Sequence, residues 1–192
     1  YYSRDVEVVY PPVDLKVFYR DPKIKKQGYF LAVGRMVHYK KFDLVISAFN
    51  RLNLPLLIVG GGPESENLKK LVRSSKIKFL PFANENELRN LYNGAEALIF
   101  PQVEDFGLVA AEAQACGLPV IAYSEGGARE IVENRVTGVL FNNQTPEDLI
   151  VAVKKFLLSS FDEKVIRESA KRFSKVKFKS SILKIVNNLN FV

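Results

Sequence analysis

The sequence contains a single cysteine and a single histidine, and it has no long apolar run. One cysteine, Cys116, excludes an internal disulfide and suits a reducing compartment, so a cytoplasmic location is expected. His38 alone is a poor metal site, because a metal ion wants several such ligands; no metal and no cofactor are expected, and His38 reads as a loop residue. No apolar stretch approaches the roughly 20 residues that cross a bilayer. No apolar segment follows Tyr1–Asp5, so no secretory leader is expected, and the missing initiator Met reads as the mark of a piece of a longer chain.

The 192 residues suffice for one α/β domain with a real core and are few for two. With 47% hydrophobic and 26% charged residues, the composition is that of an ordinary globular chain. The net charge is +7, with basic residues densest at Lys164, Arg167, Lys171, Arg172, Lys175, Lys177, Lys179 and Lys184. Such a surplus suits nucleic acid, an anionic membrane or a phosphorylated small molecule. No groove-reading motif or aromatic stacking signature accompanies the charge, so nucleic acid is not expected. The run reads first as a solvated helix face and next as a peripheral contact with an anionic membrane, at its inner face.

Short apolar runs alternate with longer amphipathic stretches. The runs Tyr29–Val33, Pro55–Val59, Ile77–Leu80, Ala97–Phe100, Pro119–Ala122 and Gly138–Phe141 are mostly apolar on consecutive residues, as in parallel strands buried on both faces. Helices are expected over Phe42–Leu52, Glu64–Arg73, Glu85–Tyr92 and Gly107–Cys116. Asn84 and Glu87 have the spacing of a capping box. Thr145-Pro146-Glu147-Asp148 is a helix start of cap, proline and carboxylates, for a helix running to about Ser159. Two more helices are expected over Asp162–Arg172 and Lys175–Leu189. This alternation predicts a Rossmann-like, doubly wound α/β fold, a parallel sheet of about six strands flanked by helices. Residues 1–21, with Pro11-Pro12 and no alternation, read as a linker or surface arm before a domain over 22–192.

Doubly wound sheets bind ligands at the carboxyl ends of their strands, so the loops there carry the candidates. After the first strand, Gly34 allows a tight turn, while Arg35 offers a planar fork and Lys40 a mobile charge. The two cations together suit a diphosphate; the alternative is two solvated side chains. Gly60-Gly61-Gly62 can turn backbone N–H groups toward an anion, but it is neither a dinucleotide fingerprint nor a Walker A loop. Glu104 lies in a loop and Glu112 inside the helix that follows it; carboxylates accept hydrogen bonds from paired hydroxyls, as on a ribose or a hexose. The N–H groups of Phe106, Gly107 and Leu108 suit phosphate oxygens. A lone Glu in a helix is usually a solvated charge, yet Glu112 sits among Ala111, Ala113 and Ala115. Gly126-Gly127 again permits close backbone approach, and Glu130 accepts from that loop or caps its turn.

In combination these residues resemble a known family. Arg35 and Lys40 in G-R-x-x-x-x-K, the G-G-G-P-E turn, and E-D-F-G-L-V-A-A-E with Glu104 and Glu112 in an E-x7-E pattern look like the C-terminal domain of GT-B glycosyltransferases, family 4. Glu87-Leu88 with Leu91-Tyr92, Gly117–Ala122, Gly126-Gly127, Thr137-Gly138 and the opening Tyr10–Asp14 extend the match, in order, over nearly the whole chain. The resemblance implies a retaining, metal-independent hexosyltransferase of the cytoplasm, nearest to mannosyltransferases that use GDP-mannose, with a UDP-sugar as the other donor. It implies that Arg35 and Lys40 neutralise the departing diphosphate. Glu104 would meet the transferred sugar, with the backbone of Phe106, Gly107 and Leu108 beside it. Glu112 would hold the ribose, main chain near Phe82 the base, and Gly34, Gly60 and Gly126 would line the phosphate side. It also places the start of the sequence at the linker, with the N-terminal acceptor-binding domain absent. Donor binding without efficient transfer is then expected, until that domain or a partner subunit completes the site. The C-terminal helices would return to the missing domain and leave apolar surface exposed.

Three other readings compete. Glu104 and Glu112 could form the acid/base pair of a glycoside hydrolase, but the neighbouring cations and phosphate-type loop argue against it. A non-catalytic donor-binding subunit with a partner chain fits the same motifs. A dinucleotide oxidoreductase fits least, because its glycine fingerprint is missing at the first strand.

Overall fold

Six short apolar runs become the strands of a single parallel sheet in the computed structural model, which describes residues 7–188. They are β1 (Phe30–Val33), β2 (Leu56–Val59), β3 (Ile77–Leu80), β4 (Leu98–Phe100), β5 (Val120–Tyr123) and β6 (Gly138–Phe141), in the order β3-β2-β1-β4-β5-β6. Register is in step: Phe30 to Val33 lie beside Leu56 to Val59, and Leu98 to Phe100 beside Val120 to Ala122. That order is the doubly wound one, reached by crossing left from β1 and then right from β4.

The sheet divides the core in two. On one face Phe30, Ala32, Leu56, Ile58, Ile99 and Ile121 pack under α1 (Phe42–Leu52), α2 (Ser65–Leu71) and α6 (Pro146–Leu157). On the other, Leu31, Leu98, Phe100 and Val120 pack under α3 (Glu85–Gly94), α4 (Leu108–Ala115) and α5 (Ala128–Ile131), with α7 (Glu163–Ala170) against α4. Consecutive strand residues feed opposite cores, which is why the strands are apolar throughout.

Helix starts follow their capping chemistry. Asn84 Oδ1 accepts from the N–H groups of Asn86 and Glu87, and the Glu87 carboxylate accepts from Asn84 N at 2.8 Å. Thr145 Oγ1 accepts from Asp148 N at 3.3 Å. Helix ends differ from the expected ones. The second helix stops at Leu71 because Val72 is extended, and α6 stops at Leu157. The expected Asp162–Arg172 helix is α7 followed by a 3-10 turn over Lys171–Phe173. A last helix, α8 (Lys175–Asn188), exposes Val176, Ile182, Leu183 and Val186. Leu189, the expected final residue of that helix, and residues 1–6 of the opening segment lie outside the described residues.

The remainder of the opening segment is packed rather than free. Val13 and Phe18 are buried, and Val13 N donates to Phe173 O at 2.7 Å. Tyr10 lies against Phe106 and Phe173. Asn93, buried at the end of α3, anchors the segment with all its bonding capacity: Oδ1 accepts from Asp21 N (2.8 Å) and Arg20 Nη1 (3.2 Å), and Nδ2 donates to the carbonyls of Tyr19 (2.9 Å) and Arg89 (2.8 Å). Asn93→Ala strands these partners and is expected to lower unfolding free energy by about 2 kcal/mol in urea titration. A loss under about 0.5 kcal/mol, the size of an ordinary surface substitution, would show that water replaces the anchor.

Candidate functional site

The sheet reverses its winding between β1 and β4, and the crevice at their carboxyl ends is the place such sheets offer a ligand. Two loops flank it: Gly34–Lys41 after β1, and Pro101–Gly107 after β4. A 3-10 turn over His38–Lys40, too short to be read from periodicity, presents Lys40 toward the second loop. Lys40 Nζ donates to Glu104 Oε1, with the two side chains only 13% and 19% exposed. The same oxygen accepts from Gln102 Nε2 at 2.9 Å. Gln102 is buried, and nothing in the sequence marked it. Arg35 is exposed, and its side chain makes no hydrogen bond or ion pair among the described residues. His38 is exposed as well.

The glycines act mainly on neighbouring backbone. Gly60 has φ 131°, and a Cβ there would stand 2.0 Å from Gly34 O. A Cβ on Gly62 would meet Met36 O at 2.5 Å, so the loops after β1 and β2 lie in direct contact. A Cβ on Gly126 would meet Glu104 O at 2.5 Å and one on Gly127 would meet Phe106 O at 2.1 Å, while Gly127 N donates to Glu104 O. The loop bearing Glu104 is thus seated on the glycine pair after β5.

Gly107, at φ 104°, turns the chain into α4. Among the described residues, the N–H groups of Phe106, Gly107, Leu108 and Val109 have no acceptor. These are the orphan donors of a helix start and carry the positive end of its dipole. The Phe106 ring is fixed between Tyr10 (5.6 Å) and Phe173 (5.1 Å). Leu108 is exposed.

Glu112 lies on the second turn of α4, one of its oxygens accepting from Tyr92 Oη at 3.2 Å. Burial raises its carboxyl to about 7, against the pull of the Tyr92 hydrogen bond and with a further push from Glu85. Phe82, in the loop after β3, is 73% exposed. Lys40 and Glu104 are therefore in contact and Glu112 rises from the adjoining helix, while Arg35, on the same loop as Lys40, and Phe82, after β3, are exposed. No cluster of three or more His, Cys, Asp or Glu side chains among the described residues is placed to hold a metal ion. No helix among them is long and apolar enough to cross a membrane. A separate hollow of about 480 Å³, lined by Gln27, Tyr29, Leu56 and Lys76, lies at the opposite ends of the strands, away from this chemistry.

Comparisons with known proteins agree with this frame. The chain is 36% identical over 155 residues to D-inositol 3-phosphate glycosyltransferase of Mycobacterium tuberculosis, covering 70% of this chain and 32% of that protein. It is 32% identical over 151 residues to an uncharacterized glycosyltransferase of Methanocaldococcus jannaschii, covering 73% and 39%. The chain thus spans well under half the length of these curated relatives. Among solved structures, a glycosyltransferase from Rickettsia africae superposes with a TM-score of 0.84 at 21% identity, over 97% of this chain and 58% of that one. Anabaena HepE in complex with UDP does so with 0.84 at 21%, over 95% and 57%. Both are likenesses of fold. Matching the description "Glycosyl transferases group 1" over residues 17–175, most of its length, this chain belongs to the group 1 glycosyltransferase family.

Proposed function

We propose that this chain is the donor-binding domain of a retaining glycosyltransferase, which transfers a hexose from a nucleoside diphosphate sugar to a glycan or lipid-linked acceptor. The observation that carries the reading is the meeting of Lys40 and Glu104 across the switch point, beside the unpaired N–H groups that open α4. Cleaving a glycosyl phosphate bond leaves negative charge on the diphosphate and positive character on the anomeric carbon. Cations and helix-start N–H groups beside the first stabilise the charge that develops on it. Arg35 and Lys40 supply the cations, and Phe106, Gly107 and Leu108 the N–H groups. Glu104, released from Lys40 when phosphate arrives, accepts from a sugar hydroxyl. Glu112 accepts from the ribose, and main chain near Phe82 holds the base. Gly34, Gly60 and Gly126 keep the loops close enough for this.

GDP-mannose is the proposed donor, from the likeness of the motifs to mannosyltransferases; the UDP seen in Anabaena HepE makes a UDP-sugar the other one to test. A second, acceptor-binding domain completes the reaction, in the same chain or in a partner subunit, so this domain binds donor and transfers little alone. The basic run from Lys164 to Lys184 would lie toward an anionic membrane at the cytoplasmic face, where a lipid-linked acceptor sits. If that partner is a separate chain, this one is a non-catalytic nucleotide-sugar subunit.

Calorimetric titration with GDP, UDP, ADP and their sugar conjugates, without metal, tests the reading. One nucleotide is expected to saturate the protein, with Arg35→Ala weakening the diphosphate about tenfold and leaving the bare nucleoside unaffected, as loss of a charge-assisted contact would. Rapid sugar transfer by this chain alone, or equal and weak binding of all three nucleotides, would count against it.

A further inference from the structure

Tyr92 is a fully buried tyrosine whose hydroxyl needs a partner. Its ring is held edge-on by Phe18, with centroids 5.9 Å apart, and its hydroxyl donates to Glu112 Oε2 at 3.2 Å. Most buried tyrosines could satisfy themselves on a carbonyl oxygen; this one has taken a carboxylate from the neighbouring helix. The other carboxylate oxygen, Oε1, has no partner among the described residues, and it is not sealed from solvent. One oxygen is therefore held and the other is open.

We propose that Tyr92 is a positioning residue for the nucleotide: its hydroxyl holds one oxygen of the Glu112 carboxylate and turns the group so that the open oxygen accepts from the ribose. This rests on the reading of Glu112 as the ribose acceptor. Burial among the alanines of α4 drives Glu112 toward its neutral form, and Glu85 on α3 adds to that drive. A protonated carboxyl would offer the ribose a weaker acceptor. Among the described residues, the Tyr92 hydroxyl alone hydrogen-bonds to Glu112. Arg89, on α3, directs its hydrogen bond to Asn90 and stacks over Tyr19. Cys116, one turn along α4, has its thiol pushed to about 12 by burial and stays neutral. Lys26 and Arg167 act on Cys116 rather than on Glu112.

The test is the pH profile of GDP and UDP binding, from pH 5.5 to 9, for the wild type, Tyr92→Phe, Glu112→Ala and the double variant. Titration of the terminal phosphate is common to all four and cancels in the comparison. Tyr92→Phe is expected to move the Glu112-dependent midpoint up by about one pH unit, giving about fivefold weaker binding at pH 7 that closes to near parity at pH 9. It adds nothing in the Glu112→Ala background. Incorporating 3-fluorotyrosine at position 92, a stronger donor of almost the same size, moves the midpoint down and serves if Tyr92→Phe does not fold. If Glu112→Ala weakens binding but Tyr92→Phe weakens it equally at every pH, or not at all, Tyr92 is only packing and the proposal fails. If Glu112→Ala leaves binding unchanged, or neither nucleotide binds, the ribose reading itself fails and takes the proposal with it.

Discussion

Lys40→Ala is expected to cost the domain about 3 kcal/mol of unfolding free energy, and Lys40→Met combined with Glu104→Gln to recover more than half of it. The ion pair spans two loops and is largely shielded from water, with side-chain exposures of 13% and 19%. Removing only the lysine leaves a carboxylate whose charge has lost its counterion and keeps only the Gln102 amide. That is the costly half of a shielded pair, whereas removing both charges avoids the penalty. Binding must part company with stability here. On the proposed reading, neither variant is expected to hold a nucleoside diphosphate well, because the diphosphate would need the cation rather than the pair. Denaturant titration and calorimetry on the same samples measure both. A stability change below about 0.5 kcal/mol would show that the pair behaves as an exposed one.

Glu112→Gln acts in the opposite direction. A carboxyl whose pKa is higher folded than unfolded binds its proton more tightly in the folded state. Its contribution is favourable at acid pH and is lost as pH rises from the ordinary 4.5 to about 7. A displacement from 4.5 to about 7 corresponds to about 3 kcal/mol at full ionisation. Glutamine carries no such penalty and still offers an oxygen to Tyr92. The variant is therefore expected to match the wild type near pH 4.5 and to exceed it by about 3 kcal/mol at pH 8, while binding nucleotide less well. Unfolding curves at the two pH values decide this; a pH-independent difference would place Glu112 in a more watery setting than the structure gives it.

Much of the fold was legible because local and global signals coincide. The strands announce themselves as consecutive apolar residues, and α1 keeps its expected bounds of Phe42 and Leu52 because its apolar residues recur at helical spacing. Asn84 and Thr145 cap as their chemistry requires. What escaped was short or distant. The four residues of α5 cannot show a period. Val13 and Phe18 gave no sign of burial in the opening segment, since their partners Phe173 and Tyr92 lie far along the chain. The site divides in the same way. Its loops could be found, but the contact between Lys40 and Glu104 joins residues 64 apart, and that between Tyr92 and Glu112 depends on which helices the sheet order makes neighbours. That a Cβ on Gly60 or Gly126 would meet the backbone of the adjoining loop could not be seen either, because those loops are far apart in sequence.

The bridge between Val13 and Ser174 gives the domain the form of a ring of chain closed by a clasp, reinforced by the ion pair of Asp14 and Lys175, 161 residues apart. The two arms of the clasp therefore leave the domain side by side. Tyr10 sits beside that clasp and stacks on Phe106, which shares its loop with Glu104. The clasp thus stands one aromatic contact away from the loop that carries Glu104, so the two ends of the domain and its candidate site share a single packed corner.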